Sequence, residues 1–131
     1  MPASPGFDPE RRSGDPGGDG RTAVEVVRHH LEAVGLLDPL AMAADYAPDA
    51  LLERPDRCWR GLAEIRAYFA TVPARLAGGR VEFTGFDEHR LEVRWTLVGG
   101  PADGLRGRDR YEVQAGRIVR QQVVLDGNVD F

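Results

Sequence analysis

This 131-residue chain is short of several things. It has one cysteine, Cys58, which excludes an intrachain disulfide and a zinc cluster built from several cysteines. No apolar run approaches the roughly 20 residues of a membrane-spanning helix. The N-terminal segment lacks the basic-then-apolar pattern of a secretory leader, so a cytoplasmic location is expected. Positive charge is not in excess: 17 basic residues face 21 acidic ones, a formal net charge of −4, and no footprint for nucleic acid follows. Lysine is absent, so every basic residue is an arginine. That points to a GC-rich source genome and says nothing of mechanism.

What is present suits one domain with a real core. Residues 1–20, "MPASPGFDPERRSGDPGGDG", are crowded with Pro, Gly and charge. Too little apolar surface is available there to offset the entropy of ordering, so a disordered tail is expected ahead of a single domain over 21–131. Thr22 and Glu25 fit a capping box. Ala23, Val26, Val27, His30 and Val34 then share one helical face, with His29 turned outward toward Glu25 and Glu32. Asp38-Pro39 opens a short second helix, which ends near "YAPD". "DALLER" reads as a strand, "PDRCWRG" as a loop, and "LAEIRAYFATVPARL" as an amphipathic helix with Leu62, Ile65, Phe69 and Leu76 at helical spacing. The period then changes. "RVEFTGF", "HRLEVRWTLVG", "LRGRDRYEVQ" and "RIVRQQVVLD" read as four antiparallel strands. Three helices enclosing one strand, then a four-strand meander, give an α+β fold with a curved sheet wrapped around helices.

The stretch "GRDRYEV", residues 107–113, carries the first chemical signal. Alternation puts Arg108, Arg110 and Glu112 on one face and Gly107, Asp109, Tyr111 and Val113 on the other. The second face is the apolar one, and it holds a carboxylate. Asp109 reads either as a buried acid paired with an arginine or as a carboxyl whose desolvation raises its pKa for proton transfer. His30 reads as a core histidine satisfied by a neighbouring carbonyl or as a general acid/base. Arg54 alternates inward with Leu52, leaving Glu53 outward; it reads as an ion-pair partner or as an anchor for a substrate oxygen. Trp95, on one face with Leu91, Val93 and Leu97, reads as core or pocket wall. Trp59 falls near the expected pocket mouth, and Gln121 falls on a face with Val119, Val123 and Leu125. Arg106, Arg108 and Arg110 read as a solvated face, broken by nearby acids. His29 and His30 are adjacent on a helix and diverge, His89 falls at a turn, and no metal site is expected.

The order of elements, with "DPLAMAADYAPDALLERP" and "RGLAEIRAYF" in it, resembles the nuclear-transport-factor-2-like superfamily. Its SnoaL-like polyketide cyclases and steroid delta-isomerases are nearest in pattern. The resemblance covers about residues 22–126 and rests on D-x7-Y-A-x-D-A-x4-P followed by RG-x3-I. It implies a cone-shaped α+β barrel, with three N-terminal helices in the concave face of a curved, mostly antiparallel sheet. Chemistry then depends on what lines the cone. The isomerase oxyanion-hole acid corresponds to Asp109 and its oxyanion-hole tyrosine to His30. The isomerase base corresponds to Arg54, a guanidinium that cannot accept a proton at neutral pH. Tyr46 stands where relatives carry an aromatic core residue. The resemblance implies a cofactor-free acid/base enzyme, an isomerase, cyclase or dehydratase, acting on an apolar carbonyl compound of polyketide type. Asp109, His30 and Arg54 would be its catalytic residues; Tyr46, Trp59, Trp95, Tyr111 and Gln121 would line its substrate pocket. An epoxide-opening alternative would recruit Asp126, where an epoxide-hydrolase relative has an acid. A second alternative is a module that binds a small ligand or a partner without catalysis. The resemblance also implies a homodimer formed through the outer sheet face.

Overall fold

Thr22 starts the first helix as its spacing predicts. In the computed structural model, which describes residues 20–126, its side chain accepts from the Glu25 backbone N–H, and the Glu25 carboxylate accepts from the Thr22 backbone N–H. The capping box satisfies two N–H groups that have no partner inside the helix. Helix α1 (Ala23–Gly35) buries Val26, Val27, His30 and Ala33. Helix α2 (Pro39–Ala43) is capped by Asp38, with Pro39 in its first turn. Strands β1 (Tyr46–Glu53) and β2 (Cys58–Arg60) follow, then helix α3 (Gly61–Leu76), which buries Ile65, Phe69 and Leu76. Strands β3 (Arg80–Asp87), β4 (Glu92–Val98), β5 (Arg106–Gln114) and β6 (Arg117–Leu125) complete the order. The expected tail, apart from Gly20, lies outside the described residues.

Two expectations need correction. "PDRCWRG" is not wholly a loop. Cys58, Trp59 and Arg60 pair antiparallel with Glu53, Leu52 and Leu51, so Trp59 stands on an edge strand and not in a loop. The sheet therefore has six strands, in the order β2-β1-β6-β5-β4-β3. The last four form the expected meander, whereas β1 joins it by a parallel pairing with β6, with Leu52 opposite Gln121. The β1 strand also begins earlier than expected, at Tyr46.

The pairing register shifts between Phe83 and Gly85 of β3 against β4, and between Glu112 and Val113 of β5 against β6. Irregularities of this kind bend a strand and increase its twist, which curves the sheet and leaves it unclosed. The three helices pack on the concave side. One main core joins Val26, Val27, Met42, Tyr46, Leu52, Ile65, Phe69, Val93, Tyr111 and Ile118. A second, adjoining it through Val72 and Phe83, joins Leu76, Trp95 and Leu97. Among the described residues no helix is long and apolar enough to cross a membrane.

Candidate active site

Alternation on β5 turns Asp109 toward the helices, where it lies half-buried. Three donors converge on it. The Trp95 indole Nε1–H reaches Oδ1 at 3.0 Å, the Gln121 Nε2–H reaches Oδ2 at 3.0 Å, and the Tyr111 hydroxyl approaches Oδ2 at 3.4 Å. All three come from neighbouring positions of one sheet. Tyr111 is two residues along β5, Trp95 is on β4, and Gln121 is opposite Tyr111 on β6. The Trp95 contact depends on Gly107, its cross-strand partner. A Cβ there would stand 2.6 Å from the indole Cζ2 and 2.5 Å from the Val124 carbonyl oxygen, so only glycine lets the ring settle across β5 toward Asp109.

These donors favour the charged carboxylate, but burial is the larger effect and disfavours it. The net result raises the Asp109 pKa from 3.8 to about 6, with the hydrogen bonds of Trp95, Gln121 and Tyr111 and the charge of Arg54 all pulling the other way. A carboxylate has about four acceptor positions. Three protein donors leave room for one proton from elsewhere.

His30 is 1% exposed. Its Nδ1–H donates to the Met42 carbonyl oxygen at 2.9 Å, which leaves Nε2 as an acceptor 3.4 Å from the Tyr46 hydroxyl. The ring sits among those of Tyr46, Phe69 and Tyr111, with centroids 5.3–5.6 Å away. Burial lowers its pKa to about 4, against the smaller raising effects of the Met42 bond and Asp45. Of the two readings the sequence left open, the packing matches the carbonyl-satisfied core histidine. The single Tyr46 hydroxyl proton goes to Gln121 Oε1, not to His30 Nε2, and the chain runs on from Gln121 Nε2–H to Asp109. The chain fixes the orientation of the Gln121 amide. Burial raises the Tyr46 and Tyr111 pKa values, so both phenols stay protonated at neutral pH.

Asp109, His30, Arg54, Trp95, Tyr111 and Gln121 line one cavity of about 90 Å³, otherwise walled by apolar side chains such as Phe69, Val72 and Leu97. Tyr46, expected at the ligand surface, is fully buried behind this wall, where its hydroxyl holds Gln121. Trp59 does not reach the cavity. It lines a larger neighbouring chamber of about 390 Å³, shared at its boundary by Arg54 and Tyr68. Asp126 lies exposed on the other face of the sheet, beside Arg106, Arg108 and Thr96, because β6 alternation turns Leu125 inward and Asp126 outward. The acid expected for epoxide opening is therefore outside the cavity. Glu53 also faces outward, bonded by Arg120 at 2.8–2.9 Å, while Arg54 faces inward as alternation requires. Among the described residues no group of three His, Cys, Asp or Glu side chains is arranged to hold a metal ion.

Sequence reasoning missed Asp45. This carboxylate is 1% exposed, with Arg21 Nη1 at 2.8 Å and His29 Nδ1 at 2.7 Å. Arg21 also donates to the Gly116 carbonyl oxygen at 2.9 Å. The cluster ties the start of α1 to the β5–β6 turn and lies apart from the cavity lining. A signal existed, since Arg21 precedes α1, His29 lies on it and Asp45 follows α2, but no periodicity brings them together.

A profile of the SnoaL-like domain family matches residues 27–121. No curated protein matches the chain. Solved structures do. A candidate polyketide cyclase from Sinorhizobium meliloti is similar at 24% identity and a TM-score of 0.62, covering 75% of this chain and 92% of that one. An NTF2-like protein of unknown function from Mesorhizobium loti aligns at 19% identity and a TM-score of 0.68, covering 82% and 97%. TerC, crystallised with polyporic acid, aligns at 20% identity and a TM-score of 0.65, covering 79% and 90%. At these identities the likeness shows the fold.

Proposed function

Because the chain belongs to the SnoaL-like domain family, within the NTF2-like superfamily, we propose that it is a cofactor-independent acid/base enzyme acting on an apolar carbonyl compound. Asp109 is its proton acceptor. The observation that carries this reading is the placement of Asp109: a carboxyl with a pKa of about 6, in the wall of an apolar cavity, held by three neutral donors. At pH 7 such a group is mostly ionised and still basic enough to take a proton, which suits a general base near its working pH. The resemblance to isomerases assigns this position to a protonated donor. Here all three protein groups donate to it, and that favours the acceptor role.

The chemistry follows from the lining. Asp109 takes a proton from the carbon next to a substrate carbonyl. The C–H electron pair moves into the carbonyl, whose oxygen becomes an enolate held by the Arg54 guanidinium on the same cavity. The proton on Asp109 then returns to a different carbon for isomerisation. Alternatively, the enolate carbon attacks an electrophilic carbonyl of the same molecule for ring closure, the new alkoxide taking the proton back from Asp109, or it expels a β-hydroxyl that takes the Asp109 proton and leaves as water. His30, neutral and bonded to a backbone carbonyl, takes no proton. It packs edge-on against the ring of Tyr46, whose hydroxyl holds Gln121. A polyketide-like substrate is favoured by the candidate polyketide cyclase among the similar structures.

The test is exchange of substrate α-protons for deuterium, followed by mass spectrometry on a panel of cyclic and aryl ketones in D2O. Wild-type protein is expected to label some of them. Asp109→Asn keeps the shape, and it should lose about 10²- to 10⁴-fold in rate. Equal labelling by the variant would remove Asp109 from the chemistry. Binding of the same ketones with no labelling by either protein would favour the non-catalytic alternative.

A further inference from the structure

The inner cavity alone is too small for such a substrate. Its roughly 90 Å³ is less than the roughly 150 Å³ apolar cavity that accepts a benzene ring, and well below the roughly 300–1,000 Å³ of ordinary ligand pockets. The adjoining chamber, of about 390 Å³, falls inside that range. Arg54 and Tyr68 belong to both linings, so the two spaces adjoin.

The outer chamber differs in chemistry. Three guanidiniums, Arg54, Arg57 and Arg75, line it against one carboxylate, Asp56, whose Oδ2 is 4.0 Å from Arg57 Nε. Its aromatic side is a Trp59–Tyr68 pair with ring centroids 4.3 Å apart. Arg57 lies over Trp59 at 5.6 Å and Arg75 over Tyr68 at 5.2 Å. Arg75 Nε also donates to Thr71 Oγ1 at 3.1 Å. A guanidinium stacked on a ring is a positive charge held in place, and its planar shape suits carboxylate and phosphate groups. The concentration of positive charge is local, since the whole chain carries a formal net charge of −4.

We propose that the outer chamber is an anion subsite, which takes the carboxylate or phosphate of an elongated substrate whose apolar carbonyl end lies at Asp109. The substrate class is then an amphiphilic oxyacid, flat enough near the anion to lie against Trp59 and Tyr68. The placement of the carbonyl end rests on the proton-transfer reading above; the anion preference does not.

The experiment uses three probes of one shape: 2-naphthoate, 2-naphthyl phosphate and uncharged 2-naphthamide. Calorimetric titration gives their affinities for the wild-type protein and for the double variant Arg57→Gln/Arg75→Gln, with the thermal midpoint of the variant as a check on folding. At least one anion is expected to bind about tenfold or more tightly than the amide, weakening as salt rises from about 50 to 500 mM while the amide does not. The double variant should lose this preference and keep the amide affinity. The anion that binds better tells carboxylate from phosphate. Equal affinities for all three probes, no binding of any, or a preference that survives in a folded double variant would overturn the subsite. If the double variant is unfolded, the salt dependence in the wild type decides. Asp109→Asn is expected to leave the anion preference intact, so loss of proton exchange and loss of anion binding are separate results.

Discussion

Replacing Gly107 by alanine should damage both the sheet and the site. The added Cβ would lie 2.5 Å from the Val124 carbonyl oxygen and 2.6 Å from Trp95 Cζ2, both nearer than real Cβ contacts allow. One obstacle is backbone, held in the β5–β6 ladder, and cannot swing away; the other is the wall of the cavity. Overpacking of this kind costs typically about 1–3 kcal/mol, and a backbone clash places this case near the top of that range. For a domain near 100 residues that is a fall in Tm on the order of 10–20 °C. Trp95 can escape only by lifting off β5, which breaks its bond to Asp109 Oδ1. That bond holds the Asp109 pKa down, so the pKa should rise further above about 6. Thermal denaturation and the Trp95 indole proton shift are the assays. Gly35→Ala is the control, because nothing lies within 4 Å of the added methyl at the end of α1; it should be neutral or gain a few tenths of a kcal/mol. A Gly107→Ala protein with the wild-type midpoint and indole shift would refute the reasoning.

Other outcomes follow from the same geometry. The folded pKa of Asp109, about 6, lies above its ordinary 3.8, so stability from this group is fully present below about pH 4 and is lost as pH rises through about 6, by at most about 3 kcal/mol. His30 runs the other way: depressed from 6.5 to about 4, it contributes fully above 6.5, and that contribution is lost as pH falls toward 4. Subtracting wild-type from Asp109→Asn unfolding free energies cancels His30, so the difference should move by up to about 3 kcal/mol in the variant's favour between pH 4 and 7; a flat difference contradicts the raised pKa. Arg54→Met should lower kcat if the guanidinium holds the enolate oxygen, whereas a rise in KM alone would reduce it to a ground-state anchor. The outer sheet face carries ion-paired arginines, Arg108 and Arg110 with Glu92 and Arg120 with Glu53 and Glu112, beside the 40%-exposed Val124. A homodimer through that face predicts twice the 14.4 kDa of one chain by light scattering at micromolar concentration, and a single-chain mass would refute it.

Local signals in the sequence carried most of the fold. The Thr22–Glu25 box, the apolar phase of α1 and the period change after Leu76 each depend on neighbours within a few residues, and each matches the structure. The parallel pairing of β1 with β6 joins residues some 70 apart, with no local trace. Cys58–Arg60 escaped notice because three residues beside Pro55 show no alternation; the strand exists because β1 offers it an edge. For the site, strand alternation put Asp109, Trp95, Tyr111 and Gln121 on one face correctly. It could not say that Trp95 and Gln121 would donate to Asp109, which depends on cross-strand register, nor that Tyr46 would lie behind the wall. His29 points outward as its helical phase predicts, with its side chain 52% exposed, but its Nδ1 bonds to Asp45 from outside the helix. Such contacts belong to tertiary structure.

The central claim is that the environment of Asp109 makes it a base near neutral pH. Titration of the carboxyl carbons in 13C-aspartate-labelled protein by NMR, with Asp109→Asn to assign the signal, tests it most directly. The account predicts a midpoint of about 6, moving upward in Trp95→Phe as one stabilising donor is lost. A midpoint near the ordinary 3.8, or one indifferent to Trp95, would contradict it.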